Sequence, residues 1–408
     1  MRQTTHATTT PRKFINKNYK LNLMLKTYKF RLYPSKKQEL KLNQFIELAR
    51  FSYNKQLELK INEYKINNKN LSQFDLNNNL IKLKEENKNL TQLHSQVLQN
   101  INQRINYAFN NFFRRLKSKE NPGFPRFKGK NKYDSITYPQ SGFKLENKLY
   151  LSKIGKINIV KHRQLEGNIK TLTITKTSSN KWFACFSAEK EVKKQNRIEN
   201  HIGIDLGLKH FYADSEGNLI NNPKYLRKSE LKLIKTCKNH SRKKKGSKNR
   251  LKSRLKLAKL YERITNQRLD FLHKQSRVLT NNYSNITVEK LNIQKMQQNK
   301  YLSKSIADVS WNKFLQLLSY KVEETGGKLI EVDPKGTSQY CICGNKVEKS
   351  LAVRIHKCNN CKIEINRDVM SAILIKNKAF DTAGSAEINA WGNVSCRNVD
   401  EPRISCIF

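Results

Sequence analysis

Three acidic residues stand in strand-like and helix-like runs whose apolar pattern gives no reason for an acid. Asp205 lies in HIGIDLGLKHFYADSEG, residues 201–217. There Ile202 and Ile204 alternate with smaller or polar neighbours as in a half-buried strand, and Ser215, Glu216, Gly217 and Asn218 supply turn chemistry before a second strand. Gly203 and Gly207 flank Asp205 and leave the backbone open, which suits a bulky anion or a hydrated metal coming close. Glu289 sits in a second strand-like run, NITVEKLNI, and Asp368 follows Asn366 and Arg367 at the start of a helical run over 369–376 whose Ala372 permits close packing. Singly, each acid has a plain reading: Asp205 ends a strand or starts a turn, and Asp368 is an N-cap. Jointly, strand ends and a helix start can converge at one edge of an α/β sheet and bind two divalent cations. A phosphodiester needs that arrangement, because one metal activates the attacking water and the other stabilises the leaving oxygen. Carboxylates are hard oxygen ligands that let Mg²⁺ keep several waters.

A second group of ligating residues follows a third strand, read over 327–334. Of the eight cysteines, Cys341, Cys343, Cys358 and Cys361 fall within 21 residues, whereas Cys185, Cys237, Cys396 and Cys406 are scattered. Such clustering speaks for metal in a reducing compartment rather than for a disulfide framework. Cys358 and Cys361 have the two-residue spacing of a zinc knuckle, in which tetrahedral sulfur ligation replaces a hydrophobic core. Cys341 and Cys343 enclose a single residue. Three readings stay open: a distorted four-thiolate Zn²⁺ site, a site in which His356 replaces one thiolate, and a set of free structural thiols.

Composition bounds what these groups act on. The 408 residues are too many for one ordinary core, and 80 Lys and Arg against 33 Asp and Glu give a formal charge of +47. Nucleic acid is the partner this excess calls for, since phosphate neutralisation releases counterions and supplies most non-specific affinity. No apolar run is long enough to span a bilayer and the start lacks a signal-peptide core, so the chain is expected to be cytoplasmic, without a membrane partner. Residues 1–23 contain no acid, the first being Glu39, and read as a disordered basic extension rather than a transit peptide, with Met24 a candidate first residue.

The positioning elements follow in order. A strand ends at Pro34. Ser35 and Gln38 form a capping box that opens a helix with Leu42, Phe45, Ile46, Ala49 and Tyr53 on one face. After a polar stretch over 63–88, a second amphipathic helix carries Leu93, Val97, Ile101, Ile105, Ala108 and Phe112. Arg50, Arg104, Arg114 and Arg115 at the edges of these helices are candidate phosphate contacts. NPGFPRFKGK, residues 121–130, alternates rings and cations on a Pro/Gly backbone. It reads either as a loop that stacks on unpaired bases, with Arg126 and Lys128 on phosphates, or as a solvated basic turn. Short strands fill about 135–191, and a polar linker leads into the strand of Asp205. Residues 225–283 read as a helical hairpin. Within them, 231–261 hold 13 Lys or Arg and no acid, and the loop carries Arg242, Lys243, Lys244, Lys245, Lys248 and Arg250. Like charges at this spacing destabilise a bare helix, so a nucleic-acid face is favoured over a merely solvated one.

With these residues in order, the chain resembles the TnpB family, insertion-sequence OrfB-type transposases similar to the ancestors of type V CRISPR effectors. The resemblance is carried by TYKFRLYPSKKQ, FPRFKGK, GIDLGLKHFYADSEG, QRLDFLHKQS, TVEKLNI, VSWNKFLQLLSYKVEETGGKLIEVDPKGTSQYC and CNNCKIEINRD, from about residue 24 to 375. It implies an α/β plus β-barrel fold. In it, an N-terminal wedge β-barrel with a helical recognition insert over 24–190 precedes a RuvC-like nuclease domain of the RNase H type over 201–334. That domain is interrupted by a zinc-knuckle insertion at 335–365 and completed by a helix at 366–380, before a tail from 381. It further implies Mg²⁺-dependent, RNA-guided cleavage of double-stranded DNA beside a short adjacent motif, with guide RNA from the transposon end and the element's partner transposase as a further partner. The family carboxylates map onto Asp205, Glu289 and Asp368, and its knuckle ligands onto Cys341, Cys343, Cys358 and Cys361. This chain departs in the short first cysteine pair, in Asn366 where the family usually has Asp, and in Met370-Ser371-Ala372 where it tends to have Asn-Ala-Ala. A catalytically decayed or regulatory binding protein is the alternative, but it would need none of the three carboxylates. A strand-transferring transposase would be expected to carry a His pair and a nucleophilic Tyr, and no H-x-H occurs.

Overall fold

Pro34 and Ser35 divide the first strand from the first helix, as the capping box requires. In the computed structural model, which describes residues 23–130, 132–191, 200–350 and 353–382, β1 (Leu23–Tyr33) leads into α1 (Lys36–Asn67). The Ser35 hydroxyl accepts the Gln38 N–H at 3.3 Å and the Gln38 side chain accepts the Ser35 N–H at 3.0 Å. The stretch read as polar and irregular folds instead into α2 (Gln73–Asn78), α3 (Leu80–Glu86) and a 3₁₀ turn over Lys88–Gln92. Sparse leucines, Leu76, Leu80, Leu83 and Leu90, anchor it in the core, and sparse anchors leave no periodic signal in a polar sequence. Next comes α4 (Ser95–Lys117), whose buried face is centred on Val97, Leu98, Ile101, Ile105 and Phe109. Ala108 and Phe112 of the expected stripe lie half-buried at its margin.

Strands then alternate with tight turns: β2 (Ser135–Tyr138), β3 (Phe143–Leu145), β4 (Leu149–Leu151), β5 (Gly155–Val160), β6 (Asn168–Lys176) and β7 (Trp182–Glu191). With β1 they form one antiparallel sheet in the order β2-β6-β7-β1-β5-β4-β3. The sheet curls until its edges nearly meet, with the rings of Tyr138 and Phe143 6.5 Å apart. Its core is continuous with α1 and α4, so the helices are an insert packed on a near-closed barrel.

A second sheet begins with β8 (His201–Leu206), β9 (His210–Asp214) and β10 (Leu219–Asn221). The basic hairpin follows as α5 (Tyr225–Ser241) and α6 (Lys248–Asn282), turning at Gly246, whose φ of 84° suits glycine. Then come β11 (Asn285–Glu289), α7 (Ile293–Gln297), α8 (Ser303–Val309), α9 (Trp311–Glu324) and β12 (Lys328–Val332). The cysteine segment contributes β13 (Ile355–Lys357) and β14 (Glu364–Asn366), and α10 (Arg367–Thr382) ends the described chain. The sheet order is β10-β9-β8-β11-β12, with β11 parallel to both β8 and β12. Parallel strands are covered on both faces. Accordingly Ile202, Ile204, Ile286 and Val288 are all 0 % exposed, and β8 is a central buried strand rather than the half-buried one its alternation suggests.

What covers β8 corrects the reading of its glycines. A Cβ on Gly203 would lie 2.2 Å from the Ala372 carbonyl oxygen and 2.6 Å from the Lys376 nitrogen, so the open backbone admits the protein's own helix α10, not an anion or a hydrated metal. Gly207 likewise faces the His210 carbonyl oxygen, at 2.9 Å from its would-be Cβ. On the other side, Trp311, Phe314 and Leu318 of α9 pack with Phe211 and Tyr212. Two ion pairs join the barrel to these helices, Lys26 with Glu324 and Lys181 with Glu262 at 2.8 Å. Most of the expected basic extension, interdomain linker and C-terminal tail (1–22, 192–199 and 383–408) lies outside the described residues. Among those described, no helix is long and apolar enough to cross a membrane.

Gly203→Ala should therefore force α10 away from β8. Because the obstructing atoms are backbone, the expected cost is about 1–3 kcal/mol or more. A lowered thermal transition with far-ultraviolet dichroism unchanged would check it.

Candidate functional site

Strand register brings the first two acids together. Ile204 pairs with Val288 in parallel register, and Asp205 and Glu289 are the next residues on their strands, side by side at the C-terminal ends. The third acid arrives with α10, laid across β8 at Gly203. Asn366 Oδ1 accepts the Asp368 N–H at 2.9 Å, so the capping role read for Asp368 falls to Asn366 and the Asp368 carboxylate stands in the first helical turn. The departure at Asn366 thus keeps the helix start intact, since Asn caps as well as Asp.

The acids feel one another. Burial first, then the negative charges of Glu289 and Asp368, push the Asp205 carboxyl well above its ordinary value of 3.8, with Arg367 opposing. Glu289 is raised by burial, against the Thr337 hydroxyl bonded to its Oε1 and the charge of Lys378. Carboxylates in this state gain most from a divalent cation. Neither Thr337 nor Lys378 was legible in the sequence, because only folding brings the Thr337 hydroxyl and the Lys378 charge near Glu289.

In the cysteine segment all four sulfurs, of Cys341, Cys343, Cys358 and Cys361, lie within 4.8 Å of one another; among the described residues this is the tightest ligand set. Cys341 and Cys361 are 3.5 Å apart, and Cys343 and Cys358 3.6 Å. A tetrahedral zinc with Zn–S bonds of about 2.3 Å sets sulfurs roughly 3.8 Å apart, so the set fits one such ion. The short Cys341–Cys343 spacing is accommodated by a tight turn in which Gly344, at φ 82°, donates its N–H to the Cys341 carbonyl. His356 is fully buried with its Nδ1 facing Lys349, and neither of its ring nitrogens falls within the sulfur cluster. Backbone N–H groups of Cys361 and Asn360 bring the Cys358 thiol down to about 6, whereas burial pushes Cys341 up to about 12. Met370, at a position where the sequence departs from family habit, fills the seam between Cys341, Cys358 and α10.

The basic candidates divide into inward and outward groups. Arg104 donates to the Ser135 carbonyl at 3.1 Å, to Thr137 Oγ1 at 2.7 Å and to the Tyr133 hydroxyl at 3.2 Å, strapping α4 to β2. Arg50 binds Glu47 and the Lys128 carbonyl, and Asn54 accepts the Lys128 N–H at 2.7 Å, so the 121–130 loop is pinned to α1. Its Phe124 packs edge-on against Phe109 and Phe112, while Arg126 and Phe127 face solvent. Arg114 and Arg115 are exposed beside Glu120. Arg250 clamps the hairpin loop by donating to the Lys243 carbonyl at 2.6 Å. Arg242, Lys243, Lys244, Lys245 and Lys248 are exposed and, among the described residues, form no ion pair.

Known proteins resemble this chain in sequence and in fold. Residues 184–300 match a family described as a probable transposase (OrfB, IS605), and 311–375 match a Cas12f1-like TNB domain. A third match, to a helix-turn-helix domain over 24–69, falls on β1 and the single uninterrupted helix α1. The chain is 31 % identical over 357 residues to a "Putative RNA-guided DNA endonuclease" of Streptomyces pristinaespiralis, covering 85 % of this chain and 87 % of that one. It is 29 % identical over 371 residues to the "Putative RNA-guided DNA endonuclease InsQ" of Escherichia coli K12, covering 85 % and 90 %. The fold resembles that in a cryo-EM structure of a Cas12f1–sgRNA–target DNA complex, with TM-score 0.54 and 15 % identity over 88 % of this chain and 99 % of the other.

Two outcomes follow from the side chains. A carboxyl raised on folding contributes stability that is present below its unfolded value and is lost as pH rises through its folded value. In chelator-treated protein Asp205→Asn should thus melt above wild type at pH 7.5, with the gap closing toward pH 4; a gap constant with pH would contradict the crowding of Asp205. Elemental analysis should find about one zinc per chain, lost in Cys343→Ser and Cys358→Ser but retained in His356→Ala. Zinc loss should unfold the segment, since structural zinc contributes on the order of 10 kcal/mol.

Proposed function

Because this chain belongs to the TnpB family, we propose that it is an RNA-guided DNA endonuclease whose active site is formed by Asp205, Glu289 and Asp368 in a RuvC-like domain of the RNase H type. The observation that carries the reading is the electrostatic coupling of those three acids at the ends of β8 and β11 and the start of α10. Mg²⁺ bound there would activate a water and stabilise the leaving oxygen of the cut strand. The chain's own part is to hold the three carboxylates at one sheet edge and to present them ionised. Arg367 and Lys378 offset part of their mutual repulsion. Residues 335–365 act as a zinc knuckle that steadies the start of α10 through Met370.

The exposed cations take the phosphates. Arg114, Arg115, Arg126, Arg242 to Lys245 and Lys248 would hold guide RNA and its duplex with target DNA, whereas Arg50, Arg104, Lys128 and Arg250 support the elements that present them. Ser247 caps α6, but the first turn has no acid, so the positive helix end and its lysines invite an anion. Base pairing would read the target, and the protein would read a short motif beside it. A binding-only accessory protein has no use for three acids forced together at a cost.

The test is a guide-programmed cleavage assay. Asp205→Ala, Glu289→Ala and Asp368→Ala should each retain target binding and lose cutting by on the order of 10³-fold or more. Chelating Mg²⁺ should stop wild type. Binding should weaken steeply between about 50 and 200 mM salt. Cutting at the wild-type rate by any one variant would remove that residue from the site.

A further inference from the structure

Glu289 has a partner that metal ligation alone does not account for. Thr337, 3 % exposed, lies in the connector from β12 to the cysteine segment, and its hydroxyl is within bonding reach of two acceptors, Glu289 Oε1 and the Pro334 carbonyl oxygen at 2.9 Å. The connector is held firmly. Gly336 turns it at φ 86°, the Lys335 N–H bonds Asp333 Oδ1 at 3.0 Å, and Lys378 reaches from α10 to the carbonyls of Asp333 and Lys335.

A hydroxyl has one proton to give. An ionised carboxylate is a stronger acceptor than a carbonyl, so with Glu289 charged, as a ligand must be, the proton goes to Oε1. The carboxylate then cannot swing freely, and Oε2 keeps its lone pairs open to a cation while Oε1 has given one to the hydroxyl. A lysine in the same place would orient the group but also neutralise the charge that a divalent ion needs. Lys378 bonds the backbone carbonyls of Asp333 and Lys335, and its charge also acts on Glu289. The Thr337 hydroxyl itself supplies orientation without adding charge.

We propose that Thr337 is a positioning residue for Glu289, fixing through its hydroxyl which carboxylate oxygen is presented to a divalent metal ion. This rests on the reading of Asp205, Glu289 and Asp368 as the cleavage site. Outer partners of ligating carboxylates contribute about 10–100-fold to metal affinity or activity.

The experiment titrates Mn²⁺ into the full chain, freed of nucleic acid at high salt, and follows binding by electron paramagnetic resonance, with guided cleavage measured in parallel. Thr337→Val removes the hydroxyl and should raise half-saturating Mn²⁺ about 10–100-fold, whereas Thr337→Ser should bind and cut close to wild type. If Thr337→Val fails to show the wild-type melting transition, Thr337→Ala replaces it in the same comparison. Wild-type Mn²⁺ binding by the hydroxyl-free variant, alongside weakened binding by Glu289→Gln, overturns the positioning role and leaves the site reading intact. Equal loss in Thr337→Ser and Thr337→Val also overturns it, since packing of the methyl would then be the cause. If Glu289→Gln binds Mn²⁺ as wild type does, the site reading fails and the role of Thr337 with it.

Discussion

The approach of α10 to β8 at Gly203 governs where Asp368 stands. A helix normally keeps its distance from a sheet because side chains intervene, but here the Ala372 carbonyl occupies the space a Cβ would take. Asp368 lies one helical turn before that contact, so the height of its Cα above the sheet edge is set by backbone packing. Asn366 contributes the other constraint, closing the helix start so that Asp368 is free of capping. The cysteine segment bears on the same helix through Met370, which packs against Cys341 and Cys358.

Charge is distributed as unevenly as it is abundant. With 33 acids against 80 bases, each carboxylate has a surplus of partners to choose from. Several are committed to holding domains together: Glu324 meets Lys26 of β1 and Arg277 of α6, and Glu262 meets Lys181 at the start of β7. In both interdomain pairs the barrel supplies the lysine and the helices packed with the second sheet supply the glutamate. Asp308 binds Arg268 at 2.9 Å and accepts the Leu226 N–H, anchoring the base of the hairpin. The hairpin tip receives no such neutralisation among the described residues. Its cations must find an external polyanion or remain mutually repelled. Asp205 differs from these acids in that its nearest charged neighbours include two other carboxylates, Glu289 and Asp368, which Arg367 only partly offsets.

Elements differed in how plainly they could be read. Capping at Ser35, the hairpin turn at Gly246, the strand ending in Glu289 and the helix after Asn366 each carry a local rule of backbone chemistry, and each formed where that rule puts it. The helices over 73–92 carry one such rule, the Ser72–Asp75 capping box that opens α2, but no apolar period to go with it. Their leucines become meaningful only against the α1 and α4 surface that buries them. Arg104 shows the same limit from the other side, since nothing in its neighbours distinguishes an arginine that binds phosphate from one that straps α4 to β2.

By itself the sequence determined which residues were chemically out of place. An acid in a strand of isoleucine and glycine, four cysteines in a short segment and 13 cations without an acid are each violations of ordinary solubility or packing, visible without coordinates. It also determined order along the chain, and hence the family resemblance. Tertiary structure alone decided what each exception touches. The parallel register of β8 and β11 puts Asp205 next to Glu289 across 84 residues of chain, and only the fold shows that the sulfurs of Cys341 and Cys343 gather with those of Cys358 and Cys361 while His356 stays outside. Gly203 illustrates the division most clearly. Its type announces that something must come close, but a missing Cβ is equally open to a ligand and to a helix, and the choice between them is made by packing far away in the chain.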